Sequence, residues 1–130
     1  LKIPEYPAAE RVTRLPPAGR IGYDLKLSEN GSIVTVGGWA ALEGQDADSS
    51  TISVVLKNNA NIYLIPTDPY PRPDVTASSG NRYKLDNSGY SVKFLKAGLQ
   101  KGKYEIGLLI KDGIHKRESV VFTGKEIAIQ

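Results

Sequence analysis

The stretch that most constrains this chain is Gly89 to Ile110, GYSVKFLKAGLQKGKYEIGLLI. Tyr90, Val92 and Phe94 alternate with Ser91 and Lys93, and Tyr104, Ile106, Leu108 and Ile110 alternate with Glu105, Gly107 and Leu109. A period of two lays one apolar row along one face of an extended chain, whereas a helix needs returns at three and four. Each run predicts a strand resting one face on a core. The two together, joined by a turn-rich connection, are expected as a central strand pair.

The rest of the chain repeats the pattern. Ile21 to Ser28 alternates, and Asn30-Gly31 after it is a strong hairpin signal, both residues tolerating positive φ. Ile33 to Ala41 follows, with Gly37-Gly38 marking a bulge or the close approach of another backbone. Thr51 to Lys57 and Ile62 to Ile65 read as a hairpin. Pro66 to Arg82 reads as a long irregular crossover stiffened by prolines, with a short strand at Arg82 to Leu85 after it. Asp112-Gly113 predicts a second tight hairpin. Glu118 to Thr123 is a strand that Gly124-Lys125 interrupts before Glu126 to Ile129.

Strands at this spacing, with no helix and no strand-helix-strand alternation, predict an all-β, immunoglobulin-like β-sandwich of seven to nine strands over residues 21–130. Leu99-x-x-Gly102-x-Tyr104 fits that class, in which a tyrosine at a strand start bonds back to the corner backbone. Residues 1–20 carry Pro4, Pro7, Pro16 and Pro17 and read as a proline-rich N-terminal arm or linker. The chain begins with Leu1, as expected of a processed chain or part of a larger one.

Composition closes several routes. With no cysteine, disulfides, thiolate zinc sites and a cysteine nucleophile are excluded. One histidine rules out a two-histidine metal site, and no cofactor is expected. No apolar run approaches the ~20 residues of a membrane span. Net charge is +3. The cations Arg82, Lys84, Lys93, Lys96, Lys101 and Lys103 stand against Asp86 alone between positions 82 and 103, which fits a solvated outer face or a weak footprint for an anionic partner. No aromatic-basic module of the nucleic-acid-binding type is present, so no nucleic-acid partner is expected.

Few residues point to chemistry. His115 has no nucleophile motif beside it and is expected on an exposed hairpin. Asp46-x-Asp48-x-Ser50 opens like a calcium loop, but Thr51 and Lys57 stand where the loop needs glycine and glutamate. Glu43, Asp46, Asp48, Asp68, Asp74 and Asp86 all fall in expected loops, yet a small sandwich offers little room for a catalytic cleft, and no enzyme is expected. Aromatics are more informative. Tyr70 lies between Pro69 and Pro71. Trp39 is either a core plug between sheets or a ligand contact. Sugar-binding sandwiches stack sugars on such rings and use nearby polar groups for hydroxyls. Tyr70, Arg72, Asp74 and Trp39 are therefore the candidate ligand or partner residues, with Arg72 and Asp74 expected as a local ion pair.

Val36-Gly37-Gly38-Trp39-Ala40, Arg72-Pro73-Asp74-Val75, Ser88-Gly89-Tyr90 and Leu99-x-x-Gly102-x-Tyr104-x-Ile106 together resemble accessory immunoglobulin-like domains appended to bacterial cell-envelope proteins, including proteins of glycan handling. The resemblance runs from about Ile33 to Ile129. It implies a non-catalytic accessory or interaction domain of a larger envelope or secreted protein. Its location would be extracytoplasmic: periplasmic, cell-surface or secreted. Its partner would be a protein or a neighbouring domain of the parent chain. The alternative is a carbohydrate-binding module using the exposed aromatics and the proline-rich loop, with a glycan as ligand.

Overall fold

The computed structural model describes residues 6–130. Its strands are β1 (Glu10–Val12), β2 (Ile21–Asn30), β3 (Ile33–Leu42), β4 (Ser50–Lys57), β5 (Ile62–Pro66), β6 (Asp68–Tyr70), β7 (Gly89–Leu95), β8 (Gly102–Asp112) and β9 (Arg117–Ile129). They form a β-sandwich of two antiparallel sheets, a five-stranded one ordered β1-β5-β4-β8-β9 and a four-stranded one ordered β2-β3-β7-β6. Val34, Val36, Ala40, Tyr90, Val92 and Phe94 of one sheet meet Val54, Leu56, Ile65, Tyr104, Ile106, Leu108 and Ile110 of the other in one buried core. Alternation is thus used as the sequence predicts, one row inward per strand.

Strand neighbours are a different matter. The two runs of Gly89 to Ile110 are not paired with each other: β7 lies between β3 and β6, and β8 between β4 and β9. Their inward rows face across the core, and the connection between them passes from one sheet to the other. Alternation reports that a face is buried, not which strand lies alongside. The predicted corner bond is present. The Tyr104 hydroxyl donates to the Gln100 carbonyl at 2.8 Å, and the Gln100 N–H donates to the Tyr63 hydroxyl at 3.2 Å. Both backbone polar groups of Gln100 are thereby held by tyrosines whose rings tilt together at 5.9 Å.

Several local expectations change. In the β2–β3 hairpin Asn30 faces Ile33, so the two-residue loop is Gly31-Ser32 and only Gly31, at φ 62°, is left-handed. Glycine alone at the first loop position is the pattern of a type II′ turn, not the Asn-Gly type I′ turn. Asp112 closes β8 opposite Arg117, so the second hairpin has a four-residue loop, with Lys116 left-handed at φ 52°. Gly124 does not end β9; the ladder slips between Glu105 and Gly107 as a bulge and continues. Arg82 to Leu85 forms no strand. The irregular crossover is folded, into β6 and a helix α1 (Pro73–Ser78), and one 3-10 turn (Asp86–Ser88) follows it.

The described part of the N-terminal arm adds β1 to the open edge of β5. Leu15 then joins Val55, Leu109, Val120, Leu64 and Phe122 on the outer face of the five-stranded sheet. Gly19 and Pro17 bond the backbone of Val120 at the far edge. The arm therefore straps one sheet from edge to edge. The reason lies in Val54-Val55-Leu56, Leu108-Leu109-Ile110 and Val120-Val121-Phe122: three unbroken apolar runs put apolar groups on both faces of this sheet. Among the described residues no helix is long and apolar enough to cross a membrane.

Candidate functional site

Tyr70, Arg72 and Asp74 come together on the outer face of the four-stranded sheet, and Trp39 stands on that face with its ring turned the other way, over Gly22. Register places Asp24, Trp39, Gly89 and Tyr70 in one row across β2, β3, β7 and β6. Directly opposed residues of antiparallel strands point to the same face. Trp39 is thus an outward residue and not the core plug between sheets. It is half-buried, packed with Tyr83 against a second small cluster of Ala41, Ala47, Val75 and Leu85. Tyr70 lies in the edge strand β6, where the missing N–H of Pro69 costs no ladder bond on the open side.

Helix α1 sets Arg72 and Asp74. Pro73 occupies its first turn, where a missing N–H is harmless, and Asp74 there favours the positive end of the helix dipole. The helix closes with Gly80 N–H on the Ala77 carbonyl (2.9 Å) and Asn81 N–H on the Thr76 carbonyl (3.1 Å), the bond pair of a Schellman motif, with Gly80 at φ 70°. Its other end is tied by Arg72 N–H to the Asp86 carbonyl at 2.7 Å, while the Thr76 hydroxyl bonds the Asp86 carboxylate. Val75 is the buried anchor.

The Arg72 guanidinium binds Asp74 through two parallel bonds, 2.9 and 2.8 Å, and donates to the Tyr70 hydroxyl at 3.3 Å. Asp74 first, then Tyr70, holds the Arg72 proton more tightly than usual, and the same bond draws the Asp74 carboxyl below the ordinary carboxylate range. Asp74 is well exposed, so this pair contributes little to stability; it fixes the direction of the guanidinium and of the Tyr70 ring. Gly89 admits the arrangement: a Cβ there would stand 2.7 Å from Arg72 Cγ and closer still to the Tyr70 carbonyl. The Arg72 stem fills that space, so Arg72 and Tyr70 form one short wall, while the Trp39 ring lies on the other side of β3, over Gly22 of β2.

Beside this wall runs an open groove of about 300 Å³, bordered by Asp24, Lys26, Ser28, Thr35, Gly37, Tyr70 and Arg72. Tyr90 passes beneath it from the core side, its hydroxyl donating to the Asp24 carbonyl at 3.0 Å. Burial, with the Asp24 charge second, raises its phenol above the normal range. Gly38 makes room for this crossing, since a Cβ would sit 2.8 Å from the Asp24 carbonyl carbon and 3.3 Å from the Tyr90 hydroxyl. That is the close approach that Gly37-Gly38 predicts; the bulge does not occur. A larger depression of about 500 Å³ lies at one side of the sandwich, lined by Ser53, Leu64 and Leu109 of the five-stranded sheet and by Pro69 and Gly89 of the other. It has no aromatic ring and no arginine at its rim, so the smaller groove is the better candidate.

Other candidates fall elsewhere. His115 is exposed, and its Nδ1 lies 2.8 Å from Asp112, which also accepts from the Ser49 hydroxyl (2.5 Å) and from the Ile114 and His115 N–H groups (3.0 and 3.2 Å). Serine and histidine both bond the same carboxylate rather than each other, so His115 is not placed to take the proton of the Ser49 hydroxyl. This cluster, joined by Gln45, clamps two loops together. The Asp46 carboxylate accepts the Lys84 N–H at 2.8 Å. Among the described residues no three His, Asp or Glu side chains are grouped to hold a metal ion. The cations of residues 82–103 are divided between both sheets and their loops, with Lys96 paired to Glu29 and Lys103 to Glu126.

Asp112 is the residue sequence reading missed; it stands in a turn signal, and only the fold makes it 2% exposed. Asp24 and Lys26 were also hidden, because outward positions of an edge strand look like any solvated face. The chain matches no protein-family model, no curated protein and no solved structure.

Proposed function

We propose that the chain is a non-catalytic, immunoglobulin-like interaction domain, an accessory part of a larger bacterial envelope or secreted protein working outside the cytoplasm. It acts by presenting the outer face of its four-stranded sheet to a partner or a neighbouring domain. One observation carries this reading: three separated segments meet at an open groove, where Gly37 and Gly38 line the bed and Arg72, seated over Gly89 and bonded to Asp74 and Tyr70, walls it. The two-bond pair with Asp74 fixes the direction of Arg72, as a preformed contact surface requires.

A second reading, a carbohydrate-binding module, is favoured by the Tyr70 ring, which is 37% exposed beside a groove lined with polar groups. Retention on isolated bacterial envelope fractions tests both. Wild type should be retained, and the Tyr70→Ala/Arg72→Ala variant should not, at unchanged melting temperature. Protease treatment of the fraction abolishes retention if the partner is a protein, and periodate oxidation abolishes it if the partner is a glycan. Equal retention of wild type and variant sinks the assignment of this face.

A further inference from the structure

We infer that the groove is a bed for a linear, uncharged glycan laid across the strands, and that Gly37 is a glycine to leave this ligand room. The inference rests on the carbohydrate reading above. Lys26 and Gly37 line the groove, and register continues their row beyond it through Ser91 to Asp68, next to the row of Asp24, Trp39, Gly89 and Tyr70. Four strands at sheet spacing make this row roughly 14 Å long, the length of about three sugar rings. Its middle is Gly37 and Ser91, so the floor is nearly bare backbone. The wall of Arg72 and Tyr70 stands on one side, and Thr35 and Lys93 form the next row on the other. The result is a trough with the Tyr70 ring on one flank and hydroxyl, ammonium and carboxylate groups around it.

Ligand class follows from what the trough lacks and how its charge is set. The floor strands β3 and β7 are interior, their backbones paired on both sides, so an extended peptide finds no free ladder groups there. Gly37 and Ser91 provide no apolar pocket for a peptide anchor. Lys26 and Asp68 stand at opposite ends of the row and balance each other, which suits a neutral chain rich in hydroxyls.

Gly37 separates fold from function. Gly38 must be glycine because its space is filled by the Asp24 backbone and Tyr90. At Gly37 a Cβ would meet nothing closer than 3.5 Å, and its backbone is not left-handed. The fold does not require glycine there, and glycine weakens a strand interior. An open trough is what its small size provides.

The test is a titration of the isotopically labelled chain with neutral tri- to hexasaccharides of glucose, N-acetylglucosamine, xylose and mannose, followed by backbone amide shifts. At least one series should move Gly37, Ser91 and Lys26 together. Gly37→Val should weaken that binding by about tenfold or more while leaving the melting temperature unchanged or higher. If Gly37→Val proves destabilised, Ser91→Leu, at an outward position of the same floor, should give the same loss. Should Gly37→Val or Ser91→Leu bind as tightly as wild type, the trough is not the bed, although the glycan reading survives. No shift of these amides with any sugar overturns the inference, and protease-sensitive envelope retention would then leave the interaction domain standing.

Discussion

Tyr104→Phe isolates what the corner contributes. The ring is fully buried and the substitution preserves its packing against Tyr63 at 5.9 Å. Only the hydroxyl goes. With it goes the 2.8 Å bond to Gln100, whose net worth is roughly 1 kcal/mol. Asn61 Nδ2, which donates to that hydroxyl at a long 3.5 Å, loses its partner as well. Asn61 is 8% exposed and its Oδ1 already lacks one, so a second orphaned group adds roughly another 1 kcal/mol. The expected loss is therefore about 2 kcal/mol, or roughly 6–10 °C in melting temperature for a chain of this size. Urea denaturation followed by Trp39 fluorescence measures it, with an unchanged m-value showing that the denatured state is the same. In an Asn61→Ala background the same substitution should cost only about 1 kcal/mol, because no amide is left to orphan. A Tyr104→Phe effect within about 0.5 kcal/mol of wild type would refute the corner as a structural tie.

Other expectations follow from the same geometry. Gly38→Ala should destabilise by about 3 kcal/mol or more, since its Cβ collides with the Asp24 backbone; a well-folded variant by circular dichroism and thermal melting would contradict the Tyr90 crossing. Leu15→Ala should cost about 1–2 kcal/mol and increase binding of a hydrophobic dye, by opening the strapped outer face of the five-stranded sheet; an unchanged melt would show that the strap is idle. Asp112 has its carboxyl drawn far below 3.8, by the Ser49 hydroxyl first and by His115. A depressed folded pKa gives stability that is present above 3.8 and lost as pH falls. Asp112→Asn should therefore be less stable than wild type at pH 7, with the gap closing in acid; a gap independent of pH would argue against the clamp. At the alkaline end Tyr90 and Tyr104 are both raised above 10.0, burial first. Stability should fall as pH rises beyond that value, with these two phenols ionising only on unfolding, as ultraviolet absorbance would show.

Period-two alternation and turn residues determined the strands, because inward and outward environments differ at every step and the chain records that difference locally. The corner at Tyr104 and the Arg72–Asp74 pair were legible for the same reason: both are made by residues within four positions of each other. Only the tertiary structure decided which strands are neighbours. It set the two halves of Gly89 to Ile110 in opposite sheets and turned Trp39 outward from the core. It also drew Asp112 inward from a turn signal and laid the arm across one face. Each of these depends on groups distant in sequence filling the same space, and pairing energy is nearly alike for any two alternating strands. The candidate site belongs to the second kind. Its residues were nameable one at a time, but the wall of Arg72 and Tyr70 exists because Gly89 leaves room for the Arg72 stem, and that relation appears only once β6 and β7 lie side by side.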